Sequence, residues 1–373
     1  MKIRLNYRLL FLLVLLGGFA FSEVALELRP SFLRPGLHLF AYVGNTGDGT
    51  ITAIDLVKLS PVATIPVGPS PTAVRANPSR KEIWGLSPSG GYVWVLDSPS
   101  DSVVAHIPVG AAPSALDFSD DGARAYVTAA KPNTLVEIDC QSRTVVARAA
   151  TGREPSAIRV SPDGKTVLVS NRGDSTVSVF DAASLALLGA VPVAPAPGQI
   201  AILPDASKAF VTSSAKDEIS VIDLKNLGLL TNLSLGGAPN DLILKPDGGE
   251  LYVPSGDAHG LLVVNTQTNE VGDFLLLGMS PMAGALSSDG ATLYATDSAA
   301  GHVVPVAIGN RQVARPISIG QSPVTAELTP GGDILAVVDT ASDDLAVIRT
   351  QTSSLITLIP TGPQPRPLAI KVF

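Results

Sequence analysis

The sequence contains a single cysteine, Cys140, among 373 residues. No intramolecular disulfide can form, and C-x-x-C and c-type haem attachment motifs are excluded. Only four histidines accompany that cysteine, which excludes a dense cluster of His and Cys metal ligands. The motifs H-E-x-x-H, G-x-S-x-G and the Walker loop are absent as well. The chain therefore carries no motif of the common metalloproteases, serine hydrolases or P-loop enzymes.

Charged residues are scarce, at 16%, and aromatic residues amount to only 5%. In contrast, 46% of the residues are hydrophobic, and the chain has 34 glycines and 30 prolines. This apolar content argues against disorder. The apolar residues are mainly Val, Leu, Ile and Ala, which favours short strands joined by many turns over helices.

Residues 1–22 have the pattern of a secretory signal peptide. Lys2, Arg4 and Arg8 precede the apolar run LLFLLVLLGGFAF, and Ala20 and Ser22 are small residues placed for a cut after Ser22. The run is shorter than the roughly 20 residues that span a bilayer. A retained membrane anchor is the alternative. We therefore expect an exported protein, periplasmic or extracellular, with a linker at residues 23–37 and no membrane span after cleavage.

The net negative charge of the protein limits which classes of partner it can bind. Cleavage removes three positive charges and no negative ones, so the formal charge changes from −7 to −10. Such a protein repels phosphate backbones, and no nucleic-acid partner is expected.

One phrase recurs with a constant spacing of 42 residues. ATIPVGPSP at residues 63–71 returns as AHIPVGAAP at residues 105–113. Ala194 replaces the glycine of Gly-x-x-Pro in one repeat, and the glycine occupies these positions in the others: Gly68, Gly110, Gly152, Gly236, Gly278, Gly320 and Gly362. Each repeat contains four short apolar segments, such as PSAIRVS, TVLVSN, TVSVFD and ALLGAVPV. Four strands per period of about 40 residues are typical of a β-propeller blade.

The number of blades follows from the ends of the repeat. Residues before Gly68 supply three strands and residues after Gly362 supply one, and residues 38–373 number 336, which is eight times 42. We therefore predict an all-β, eight-bladed propeller over residues 38–373, closed by three N-terminal strands and one innermost C-terminal strand. Seven blades are the alternative. Gly is expected to supply φ > 0 between blades and Pro to begin each inner strand.

The segments AYVTA (residues 125–129), TVSVFD (176–181), SPDGK (161–165) and IPVGAAP (107–113) resemble the YVTN-repeat β-propeller family. The resemblance covers the chain from about residue 38 onward and implies a bacterial or archaeal exported or surface protein. Related propellers include lactonase-like proteins and a haem-bearing nitrite reductase domain. Family members more often have seven blades, so eight is a departure.

Charged residues occupy one column of the inner strands, seven positions after the glycine. Arg75, Asp117 and Arg159 occur in three consecutive repeats, and Glu327 occupies the same column later. One interpretation is a charge ladder between blades that neutralises itself. The other is a polar patch in the axial funnel for a small anionic ligand, since two arginines outnumber one aspartate among the three.

Two histidines fall in neighbouring loops between second and third strands. His259 and His302 could face each other or the funnel and hold a metal or a cofactor, completed by Asp257 or Asp297. The alternative is that both are ordinary surface-loop residues.

These patterns favour a non-catalytic exported propeller, a monomer that binds a protein or a small anion through its axial funnel. No cofactor is predicted. The alternative is a lactonase-like or cofactor-binding enzyme that carries haem or a divalent metal.

Overall fold

Each 42-residue period forms one four-stranded antiparallel blade in the computed structural model, which describes residues 38–373. The predicted signal peptide, residues 1–22, and linker, residues 23–37, lie outside the described residues. There are eight sheets, which confirms eight blades rather than seven. Residues 38–373 include no helix, and hence none long and apolar enough to cross a membrane.

The first four blades, I to IV, lie in chain order, and blade I takes its innermost strand from the end of the chain. Blade I contains β1 (Leu39–Asn45), β2 (Thr50–Asp55), β3 (Ser60–Pro66) and the last strand, β33 (Pro365–Val372). Blade II contains β4 (Val74–Ala76), β5 (Glu82–Ser87), β6 (Tyr92–Asp97) and β7 (Ser102–Pro108). Blade III contains β8 (Ala111–Phe118), β9 (Arg124–Lys131), β10 (Thr134–Asp139) and β11 (Thr144–Ala150). Blade IV contains β12 (Pro155–Val160), β13 (Thr166–Asn171), β14 (Thr176–Asp181) and β15 (Leu187–Pro192).

Blades V to VIII repeat this order from the inner to the outer strand. Blade V contains β16 (Pro197–Ile202), β17 (Lys208–Ser213), β18 (Glu218–Asp223) and β19 (Gly228–Ser234). Blade VI contains β20 (Ile243–Leu244), β21 (Glu250–Ser255), β22 (Gly260–Asn265) and β23 (Glu270–Leu276). Blade VII contains β24 (Pro281–Leu286), β25 (Thr292–Asp297), β26 (His302–Ala307) and an outer strand split into β27 (Gln312–Val313) and β28 (Ile317–Ser318). Blade VIII contains β29 (Pro323–Leu328), β30 (Ile334–Asp339), β31 (Asp344–Arg349) and β32 (Ser354–Pro360).

The last strand closes the ring as predicted. β33 pairs antiparallel with β1, with Tyr42 opposite Ala369 and Leu39 opposite Val372. The ring of Phe373 stacks on that of Phe40, with centroids 5.6 Å apart. The inner side of β1 is therefore paired, and the open sheet edge that would invite aggregation is removed.

The hydrophobic core consists of layers between neighbouring blades. One layer joins Trp84 and Val95 of blade II to Leu116, Val127 and Val136 of blade III, all at most 3% exposed. Each blade thus buries its two apolar faces against copies of itself, as expected for a repeat that cannot form a core alone.

The backbone conformation of the Gly-x-x-Pro segments differs from our prediction. Gly68 and Gly110 have positive φ, at +104° and +121°, but Gly278 and Gly320 do not. A Cβ at Gly278 would instead overlap the carboxylate of Asp297. In six blades the left-handed residue, with φ between 50° and 55°, is the one directly before the proline: Ser70, Ala112, Glu154, Ala196, Ser322 and Gln364. The glycine column therefore reflects close approach as well as positive φ.

Candidate functional site

The inner strands of the eight blades surround the propeller axis, and the predicted charged column lies on them. Arg75 is on β4, Asp117 on β8, Arg159 on β12 and Glu327 on β29. The charges of Arg159, Asp117 and Glu327 all act on the pKa of Arg75. The structure therefore brings the four predicted residues to one axial channel.

Asp117 and Glu327, the two acids of this column, each accept a backbone hydrogen bond from the next blade. An innermost strand pairs on one side only, so its free edge presents unpaired backbone groups. Asp117 Oδ2 accepts the N–H of Val160 at 3.0 Å, and Glu327 Oε1 accepts the N–H of Ile370 at 3.2 Å. Each acid therefore satisfies a backbone donor of the next blade, which favours an inter-blade role for the acidic half of the column.

Arg159 is only partly engaged. Its Nε donates to the carbonyl of Ile200 at 3.3 Å. Its Nη1 lies 3.9 Å from Asp117 Oδ2, beyond hydrogen-bond distance. With 40% of its side chain exposed, the guanidinium keeps donors that face the channel.

Arg75 forms neither a hydrogen bond nor an ion pair with any residue of the described chain, 38–373. Its side chain is exposed to water, although the walls of the channel stand nearby. Burial in these walls lowers the pKa of Arg75, and the positive charge of Arg159 lowers that pKa further. The nearby carboxylates oppose this effect without contacting the guanidinium.

Sequence reasoning missed two channel residues. Asp241 and Gln199 lie two positions nearer the Gly-x-x-Pro turn, where most other repeats have Ala, Thr or Pro. Asp241 Oδ2 accepts the N–H of Gly284 at 3.4 Å, and burial raises the pKa of Asp241. Comparing that column across the repeats would have shown Asp241 as the exception.

We call Arg75, Asp117, Arg159, Asp241 and Glu327 the axial cluster. It contains three acids and two arginines, so the local excess of positive charge assumed from the sequence is absent. The charges of Arg159, Asp117, Glu327 and Asp241 all act on Arg75, which places the other four charges within Coulombic range of this arginine.

A cavity of about 210 Å³ adjoins Arg159. Its remaining wall is mainly aliphatic and includes Ile200, Ile202, Leu242 and Leu244. At about 30 Å³ per water molecule, the space holds on the order of seven waters. A small ligand with one anionic group and an apolar body fits such a wall.

The two predicted histidines have different surroundings in the structure. His259 Nδ1 lies 2.6 Å from the carbonyl oxygen of Met279. His302 lines a separate cavity of about 470 Å³ beside Gly320 and Gln321. Asp297, a proposed third ligand, accepts the N–H groups of Met279 and Ser280 at 2.8 and 2.9 Å. Residues 38–373 contain no group of three or more His, Cys, Asp or Glu placed to hold a metal ion.

The architecture defines an eight-bladed β-propeller with a charged axial channel, and comparisons with known proteins agree on the fold. The family model "Lactonase, 7-bladed beta-propeller" matches residues 92–235. No curated protein sequence matches the chain.

Two solved structures share the fold at low sequence identity. Kuenenia stuttgartiensis Hydrazine Synthase has a TM-score of 0.60 and 19% identity, covering 78% of this chain and 98% of that chain. Dihydro-heme d1 dehydrogenase NirN in complex with DHE has a TM-score of 0.73 and 19% identity, covering 91% of this chain and 76% of that chain. These likenesses extend to the fold alone.

Proposed function

We propose that the protein is a non-catalytic exported propeller that binds a small anionic ligand at the axial cluster. The observation that carries this proposal is the side chain of Arg75, which is exposed to the channel and donates to no described side chain or carbonyl. Its planar fork of donors is therefore available to a ligand in the channel. A bound carboxylate or phosphate would give it a charge-assisted, bidentate partner.

The count of three acids against two arginines does not favour a cation. Asp117, Asp241 and Glu327 each already accept a backbone N–H from the following blade. Arg75 donates to no described residue, and Arg159 donates to one carbonyl. The unused hydrogen-bonding capacity of the axial cluster is therefore mainly that of donors, which suits an anion.

Thermal unfolding with a panel of simple anions tests this proposal. We expect succinate, citrate or inorganic phosphate to raise the melting temperature at constant ionic strength, because a ligand bound to the folded state stabilises it by mass action. Arg75→Gln and Arg159→Gln should abolish the increase. Lys225→Gln, in the exposed turn that leads into the outer strand β19, is the control and should retain it. No shift with any anion, or an unchanged shift in Arg75→Gln, would contradict the proposal.

A second candidate is a lactonase-like or cofactor-binding enzyme. Its support is the family model that matches residues 92–235 and the similarity in fold to NirN, which was solved in complex with DHE. The four histidines lie off the inner strands of the described chain, so the channel wall supplies arginines and acids but no imidazole. A haem-range absorption band in the purified protein, or lactone turnover lost in Arg159→Ala, would favour this candidate.

Membership of the YVTN-repeat family and export belong to the same proposal. They rest on the segments AYVTA and TVSVFD and on the apolar run after Arg8. Fractionation of expressing cells tests export: the protein should appear outside the cytoplasm, shortened by about 22 residues.

A further inference from the structure

Blade VIII places two carboxylic acids directly opposite each other. Asp339 ends β30 and Asp344 begins β31, and the two are paired in register. They are 0% and 9% exposed, and the Oδ1 atom of each has no hydrogen-bond partner. Asp339 Oδ2 accepts the N–H of Gly320 at 3.0 Å. Two buried acceptors therefore meet with no donor between them.

The same position in other blades shows what is missing. In blade I, Asn45 Oδ1 accepts the N–H of Gly362 at 3.1 Å, while Asn45 Nδ2 donates to Thr50 Oγ1 at 2.8 Å. Asn171 donates likewise to Thr176 at 3.0 Å in blade IV. Blade VIII keeps the acceptor for the glycine N–H and replaces the amide donor with a second carboxyl oxygen. A proton on one carboxyl group would restore the donor.

The loop between the two acids holds the start of the closing strand. We call residues 340–343 the closure loop. Thr340 Oγ1 donates to the carbonyl of Pro365 at 2.7 Å, and the N–H of Gln364 donates to Asp343 Oδ1 at 2.8 Å. The N–H of Thr361 donates to the carbonyl of Asp343 at 2.9 Å. These three bonds seat the chain that leads into β33.

We propose that Asp339 and Asp344 share one proton in the closed ring, and that losing it at higher pH loosens the closure loop and the seating of β33. Two carboxylates in direct opposition repel each other, and this repulsion acts on both ends of the closure loop. The pair thus makes closure of the propeller sensitive to pH.

A proton fits this site better than a metal ion. The pair offers two free oxygens, whereas Ca²⁺ takes six to eight oxygen ligands and Mg²⁺ six. The titratable groups around Asp339 are few: Asp344 opposite, Asp343 in the closure loop and His302 beyond Gly320. Burial, followed by the adjacent carboxyl group and charge of Asp344, raises the pKa of Asp339 to about 8.

The direction of the pH effect follows from that shift. An unfolded aspartate has a pKa of about 3.9. The folded state holds the proton more tightly, so its stabilisation is complete below about pH 4 and is lost as the pH rises through about 8. Between these values the closure equilibrium can change by up to about tenfold per pH unit.

Hydrogen exchange of β33 tests the proposal in the intact protein. After correction for intrinsic exchange rates, opening of residues 365–372 should increase at least tenfold from pH 5 to pH 8, relative to residues 166–181 of blade IV. The double variant Asp339→Asn with Asp344→Thr recreates the pair of blade I and should remove this increase. Asp217→Asn, an exposed aspartate of blade V, is the matched control and should behave as the wild type.

Each outcome decides the matter. Equal pH dependence in the wild type and the double variant would overturn the proposal, and so would stability that depends on added Ca²⁺ or on a chelator. If the double variant fails to fold, ¹³C NMR of the wild-type aspartate carboxyl groups replaces it. One aspartate must then titrate at least two pH units above the ordinary range, and its absence would also overturn the proposal.

Discussion

Glu327 accepts the backbone N–H of Ile370 at 3.2 Å, across the junction where the ring closes. The bond joins the inner strand of blade VIII to β33, which belongs to blade I. Asp117 makes the same contact with Val160, also 43 residues further along the chain. Glu327, which is proposed for ligand binding, is therefore also part of the ring closure. Its protonation state affects both ligand binding and closure.

Replacing Glu327 should remove a pH dependence of stability. Burial raises the pKa of Glu327 to about 7, from about 4.3 in an unfolded chain. The wild type should therefore lose stability as the pH rises from about 4 to 7, by roughly 3–4 kcal/mol at most. Glu327→Gln keeps the acceptor for Ile370 and should flatten this slope in urea unfolding. Glu154→Gln, an exposed change, is the control, and an unaltered slope in Glu327→Gln would refute the assignment.

Removing the closing strand should destabilise the whole ring. Deletion of residues 367–373 takes away most of the pairing between β33 and β1 and exposes the free side of β1. We expect the melting temperature in calorimetry to fall by well over 5 °C. Deletion of Phe373 alone removes its ring contacts with Phe40 and Lys81 but leaves the pairing of β33 with β1, and should cost much less. An unchanged melting temperature after the longer deletion would contradict the role of β33.

Equivalent tyrosines donate a hydrogen bond to the next blade, and the length of that bond predicts how much stability is lost when the hydroxyl group is removed. Tyr126 Oη donates to the carbonyl of Ala182 in the next blade at 3.0 Å, while Tyr294 makes the equivalent bond to Thr350 at 3.5 Å. Tyr126→Phe should lower the free energy of unfolding by about 1 kcal/mol, since it leaves a buried carbonyl without its donor. Tyr294→Phe should cost less because its bond is longer, and the reverse order would contradict this reasoning.

The fold could be predicted from the sequence because one period controls it. The constant 42-residue spacing fixes the blade, and the three strands before Gly68 with the one after Gly362 specify the closure. The residues of the axial cluster were harder to predict from the sequence. Arg75 and Glu327 stand out because they share a column with other charged residues, whereas Asp241 lies in a neighbouring column that is mostly uncharged.

The sequence also could not show what individual loop residues do. Whether His259 and His302 meet depends on loop conformation, which the 42-residue period does not specify. In the structure His259 binds the carbonyl of Met279 and His302 lines a different cavity. Asp339 and Asp344 are five residues apart in the sequence and attract no notice until pairing of β30 with β31 places them opposite each other.

At Gly278 the recurring glycine has a steric cause that can be tested. A Cβ there would overlap the carboxylate of Asp297, which is 2% exposed and accepts the N–H groups of Met279 and Ser280. Gly278→Ala should therefore displace that carboxylate and lower the free energy of unfolding by roughly 1–3 kcal/mol. Gly309→Ala is the matched control, because a Cβ at Gly309 meets no atom within 4 Å and its φ is not positive. Chemical denaturation of both variants measures the difference, and equal stabilities would show that close approach to Asp297 does not explain the glycine at this position.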